Sequence, residues 1–184
     1  PTDTIRSQGG ATAQWKMRFK VTIDSITTNS STDVAVGIGM SSSNGDDIGG
    51  HQANFLMKFN NSTRKFMCTG SKSGGDTNDS AKTKEVGTNM MATGTWYVTV
   101  ERRDNTTARV TVTTNSDYGT SSTYEDKSID GNTGNEDVQY IKYFFVKNVI
   151  GSTVDNHVYF KVEDVKLWNG TLDFTTPPTT VVGM

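Results

Sequence analysis

The sequence predicts an all-β domain, an antiparallel sandwich of ten or more strands, on three observations. Apolar residues recur at every second position in segment after segment, no segment keeps a helical period over three turns, and clusters of Gly, Asn, Asp and Ser punctuate the alternating runs. At 184 residues the chain fits one domain, large enough to bury a core without staples. Composition agrees. Hydrophobic residues make up only 33% of the chain, and Thr, Ser, Asn and Gly together make up roughly two-fifths, which suits strands with one wet face. Regularly spaced β-branched and aromatic residues separate this chain from a disordered one.

The elements follow in order. Residues 1–11 form a polar arm, 12–174 the sandwich domain and 175–184 an extended tail. From Gln14 to Ile26, Trp15, Met17, Phe19, Val21 and Ile23 alternate with Lys16, Arg18, Lys20, Thr22 and Asp24, a long strand with one wet side. Val34, Val36, Ile38 and Met40 are the buried parity of the next strand. Its other parity (Ala35, Gly37, Gly39, Ser41) is small enough for close packing, or for a ligand or backbone to approach. Ala53, Phe55, Met57 and Phe59, a turn at Asn60–Thr63 and Arg64–Thr69 read as a hairpin. A weak strand near Thr83–Val86 and a gap-filling Met90-Met91 pair follow.

The clearest hairpin spans 93–114: Trp96, Val98 and Val100 share one parity and, beyond the Asp104-Asn105-Thr106 turn, so do Ala108, Val110 and Val112. Residues 115–135 lack periodicity and are long for a connection, which marks a functional or assembly-making loop. Val138–Lys147 is apolar on both parities and reads as a strand covered on both sides. Val158, Phe160 and Val162 hold one parity, Val165 and Leu167 the other, and the slip across Glu163-Asp164 predicts a β-bulge.

Charge and cysteine usage exclude several classes. The net charge is −2, and Lys and Arg are dispersed along outward parities, so nucleic acid is not an expected partner. Cys68, the single cysteine, sits in an apolar strand and reads as a small core residue. No apolar run approaches the ~18 residues of a membrane span. The Pro1-Thr2-Asp3 start suits loss of an initiator methionine better than signal cleavage, unless the chain is a piece of a longer one.

Gly94-Thr95-Trp96-Tyr97 leading into Val98-Thr99-Val100-Glu101-Arg102, the Tyr140-Ile141 segment and Val162-Glu163-Asp164-Val165-Lys166-Leu167-Trp168-Asn169-Gly170 resemble the concanavalin A-like lectin/glucanase jelly rolls. The likeness is to the Thr/Ser-rich, laminin-G-like members of microbial surface and virus proteins. It covers roughly residues 12–174 and implies a jelly roll that hosts lectins, glycan hydrolases, adhesins and virion proteins alike. The Glu-x-Asp-x-x-Glu motif of the family's glucanases does not occur, so a glycoside hydrolase is the least favoured reading. Relatives often carry a strand before the segment matching Trp15, and its absence predicts an open sheet edge for another subunit to fill.

The candidate sites are modest. Tyr118, Tyr124 and Trp168 are the candidate aromatics for stacking on a glycan, although an edge aromatic covering the core is the commoner role. Asp130, Asn132 and Asp137 place oxygen ligands at loop spacing that calcium could use, although a plain turn has the same composition. His51 and His157 make no zinc pattern. Sequons at Asn29, Asn60, Asn61, Asn78, Asn105 and Asn169 are acceptors only in a host that glycosylates. Pro177-Pro178 enforce an extended exit, after which Thr179 to Val182, with Val181 and Val182 as its apolar pair, could add as a strand to a neighbour. The expectation is a non-catalytic structural, decoration or adhesive subunit of a virion or extracellular filament, associating with itself or other structural proteins and with affinity for glycans. The alternative is a lectin-like carbohydrate-binding module.

Overall fold

In a computed structural model of the chain, the structure describes residues 14–41, 52–71, 83–87, 90–102, 108–119, 122–126, 143–150 and 155–169. They form ten strands: β1 (Trp15–Thr28), β2 (Val34–Ser41), β3 (Gln52–Phe59), β4 (Arg64–Ser71), β5 (Thr83–Glu85), β6 (Gly94–Arg102), β7 (Ala108–Thr113), β8 (Ser122–Asp126), β9 (Tyr143–Ile150) and β10 (Asn156–Asn169). Two five-stranded sheets result, with orders β10-β1-β6-β7-β8 and β5-β4-β3-β2-β9. All the pairings are antiparallel. The all-β sandwich expected from alternation is therefore the fold.

The core lies where the alternation puts it. Trp15, Met17, Phe19, Val21 and Ile23 of β1 and Val98, Val100, Val110 and Val112 of β6 and β7 meet Val34, Ile38, Met40, Phe55, Met57, Phe59, Phe66 and Cys68 of the other sheet. Aromatic rings tie the sheets together. Phe55 packs edge-on to Phe19 at 6.1 Å and against Phe66 at 5.0 Å, and Phe66 meets Trp96 at 5.0 Å. Trp96 also donates from Nε1 to the Ala92 carbonyl at 2.9 Å. Met91 is buried in this core and Met90 packs against it, filling space as their sequence position suggested.

Gly37 and Gly39 are buried on the outer side of the second sheet. Beside them, Ala35, Leu56 and Met67 form a second buried cluster. Ion pairs flank it, Lys58 to Asp33 at 3.0 Å and Lys65 to Glu85 at 2.8 Å.

Register irregularities bend the edge. β10 carries one extra residue between Glu163 and Lys166, opposite Lys20 and Arg18, and Asp164 takes a left-handed φ of 55° there. This is the bulge the parity slip implied. A second irregularity, one extra residue between Ile23 and Ser25 of β1, lets Ile26 return to the core side opposite Val158.

Three expectations need correcting. Ser122–Asp126 lies in the stretch without periodicity yet forms β8 beside β7, because a short edge strand needs only backbone pairing and no alternating apolar set. The segment read as covered on both sides contains β9, the outer strand of its sheet among the described residues, and is not covered throughout. Val146 there is 45% exposed, since it lies at the rim of the sandwich; residues 138–142 of that expectation lie outside the described residues. β1 sits between β10 and β6, so β10 and β8 are the outer strands of its sheet among the described residues. Trp168 is buried, as detailed below. The arm and tail, with Pro177, Pro178, Val181 and Val182, also lie outside the described residues.

Candidate functional site

The outer face of the first sheet follows from register. Residues opposite one another on neighbouring strands point the same way, so rows of outward residues cross the sheet, three of them around the site. Lys166, Arg18, Thr99 and Thr111 form one row; Glu163, Lys20, Tyr97 and Thr113 form the next; Trp168, Lys16, Glu101 and Arg109 form the third. Met17, Phe19, Val98 and Val100 on the opposite parity fix this choice of face, because a slip of one residue would turn them out of the core.

Tyr118 arrives on this face from the turn after β7. Asn115 N donates to Thr113 Oγ1 at 3.0 Å, Tyr118 N to the Asn115 carbonyl at 3.0 Å and Gly119 N to Asp117 Oδ1 at 2.8 Å. These bonds hold Tyr118 at φ 61°, a left-handed conformation uncommon for a bulky residue. A Cβ at position 119 would come within 3.0 Å of Asp117 Oδ1, so glycine there keeps the turn tight.

The result is an aromatic and cationic cluster. Tyr118 meets Tyr97 edge-to-face with centroids 5.3 Å apart, and the Arg18 guanidinium lies over the Tyr118 ring at 4.6 Å, a cation–π geometry. Arg18 Nε donates to Thr99 Oγ1 at 3.3 Å. Burial lowers the Arg18 pKa, opposed by Tyr118, Glu101 and Asp117; burial likewise raises the Tyr118 phenol, opposed mainly by the Arg18 charge. One row over, Lys20 Nζ and Glu163 Oε2 are 2.8 Å apart. Their hydrogen bond raises the Lys20 pKa and lowers that of Glu163. Glu101 Oε2 lies 3.9 Å from Arg109 Nε. Rigid aromatic faces beside hydroxyl, guanidinium and carboxylate groups can stack on an apolar ring face while exchanging hydrogen bonds around its rim.

Sequence-derived sites divide accordingly. Tyr118 is half-buried in the cluster. Trp168, expected to be exposed for stacking, is only 6% exposed and lies with the Lys16 amine 5.6 Å from its ring centroid, so it packs within the protein instead of facing a ligand. The backbone of Tyr124 pairs with Val110. Asp130, Asn132, Asp137 and His51 lie outside the described residues, as do Asn78 and Asn105. His157 is exposed beside Tyr159.

Asn29 and Asn61 are exposed, and the Asn169 backbone pairs with Trp15. The Asn60 amide is engaged: Nδ2 donates to Asp33 Oδ1 at 2.7 Å, and Oδ1 accepts from Ser62 N and Thr63 N at 2.8 Å. Its role is to close the β3–β4 turn. The sequence reading missed Arg18 and Tyr97 as partners of Tyr118, and Thr99 as the partner of Arg18. The signal was present in their shared outward parity, but the folding-back of the 114–119 turn was not.

No protein-family model matches the chain, and no curated protein matches it. Solved structures do. An alginate lyase from Klebsiella pneumoniae matches with a TM-score of 0.52 at 13% identity, over 94% of this chain and 70% of that one. Alginate lyase A1-II', a member of polysaccharide lyase family 7, matches at 0.51 and 13%, over 89% and 65%. The CBM2 module of the evolved Dit of Lactobacillus casei BL23 phage J-1 matches at 0.50 and 10%, over 91% and 67%. The chain spans about two thirds of the length of these proteins. At such identities the likeness is one of fold, and the fold is a jelly-roll β-sandwich.

Proposed function

We propose that this chain is a non-catalytic, glycan-binding jelly-roll module serving as a decoration or adhesive subunit of a virion or extracellular filament. The observation that carries the glycan reading is the Tyr118–Tyr97 pair on the outer face of the first sheet, capped by Arg18. Fold likeness to a carbohydrate-binding module and to lyases named for a polysaccharide supports the same reading. The non-catalytic part is supported by the carboxylates of this face among the described residues that meet a cation: Glu163 against Lys20, Glu101 against Arg109 and Asp24 against Lys161. An acid or nucleophile of a glycosidase must instead be available to the sugar. Extracellular or virion residence follows from this role, with partners in the surrounding assembly.

The test is affinity electrophoresis through gels containing alginate, polygalacturonate, hyaluronan, xylan or β-glucan, with Tyr118→Ala alongside. Retardation of the parent protein by at least one polymer, weakened about tenfold by the substitution, is expected if one aromatic contact is worth roughly 1.4 kcal/mol. Migration of the parent protein unaffected by all these polymers would sink the reading.

A further inference from the structure

We infer that the outer face of the first sheet carries a second aromatic subsite, built on Tyr159 of β10, and that the face therefore takes an extended polysaccharide chain in preference to a single sugar. This rests on the glycan-binding reading above and goes beyond it in assigning a second contact and a ligand length.

Tyr159 is 63% exposed and, with Val146, is one of two exposed large hydrophobics among the described residues. Its direction is set by its neighbours: Val158 and Phe160 pack against the core, so Tyr159 between them points outward. An isolated exposed apolar side chain is ordinary. Tyr159 differs because its ring is held. His157, on the same parity, meets it edge-to-face with centroids 5.3 Å apart and planes at 77°, leaving a presented aromatic surface that loses little freedom on stacking.

Polar groups connect this ring to the first site. Tyr159 lies opposite Ser25, whereas Tyr97 lies opposite Lys20. The two rings are thus separated by roughly 15 Å along the strands and about 10 Å across them. Between them stand the Lys161–Asp24 pair at 3.7 Å, the Thr22–Thr95 hydroxyl pair at 3.4 Å and the Lys20–Glu163 pair. Asp24, Ser25, Lys161 and Glu163 are exposed. A polysaccharide presents apolar C–H faces and hydroxyl rims in alternation, and this strip offers aromatic faces at both ends with donors and acceptors in the middle.

The experiment compares Tyr159→Ala with Tyr118→Ala in the five-polymer gels and, by calorimetry, on trisaccharides of whichever of these polymers retard the parent protein. Tyr159→Ala is expected to weaken polymer binding about tenfold while leaving trisaccharide affinity unchanged; Tyr118→Ala is expected to weaken both. Polymer binding by Tyr159→Ala equal to that of the parent overturns the second subsite and leaves the Tyr118 site standing. Equal affinity of the parent for trisaccharide and polymer overturns it as well. Absence of retardation of the parent in all five gels removes the glycan reading and this inference with it.

Discussion

Tyr118 is the residue on which local backbone geometry and the proposed site converge. Its backbone is held left-handed by three hydrogen bonds in the 114–119 turn, and strain of that kind persists only where surrounding contacts over-determine it. Here they are Tyr97 and Arg18. Burial raises the phenol's pKa, so the folded state holds that proton more tightly than the unfolded one. The associated stability is complete below the ordinary tyrosine range and is lost as pH rises from there through the folded value. Tyr118→Phe removes this titration, and denaturant midpoints across the alkaline range should fall less steeply in the variant. Coincident profiles would mean that the phenol is solvated. Asn156 shows the same economy in a structural role. Buried behind the 29–32 turn, it accepts from Ser30 N at 2.9 Å and donates to the Ser30 and Thr32 carbonyls at 2.9 and 2.8 Å, satisfying backbone groups that burial would otherwise leave costly.

Among the elements, β10 has the most to reconcile. It is a 14-residue strand at the edge of its sheet, and it must keep Val158, Phe160 and Val162 and then Val165 and Leu167 on the inner side. The extra residue at Asp164 makes both possible. Exposed Lys161, Glu163 and Lys166 on its outer parity are the charges expected to discourage edge-to-edge aggregation. Aspartate tolerates the left-handed φ of 55°; a β-branched side chain does not. Asp164→Val should therefore destabilise the fold by about 1–2 kcal/mol, read as a lower urea midpoint at unchanged slope. An unaltered midpoint would mean that the bulge relaxes without cost. The Lys20–Glu163 pair beside it is solvent-facing and contributes little by itself.

For the whole molecule, the two sheets hold together through one aromatic and aliphatic core. Assembly belongs to this scale. If the chain is a subunit of a larger structure, light scattering of the full-length protein should show concentration-dependent association that deletion of 175–184 reduces. A monodisperse monomer with protease-sensitive ends would instead fit a free-standing binding module.

Alternation by itself determined the sandwich, the inward set of β1, β6 and β7 and the bulge at Asp164, because a period of two leaves a side chain little choice between core and water. Pro-rich and loop chemistry pointed to places without deciding what they do. Only the tertiary structure brought Arg18, Tyr97 and Tyr118 together from three distant parts of the chain, buried Trp168 against Lys16 and left Tyr159 bare. Those outcomes depend on strand order and on the path of a turn, which set distances between residues far apart in sequence and leave no periodic trace along it.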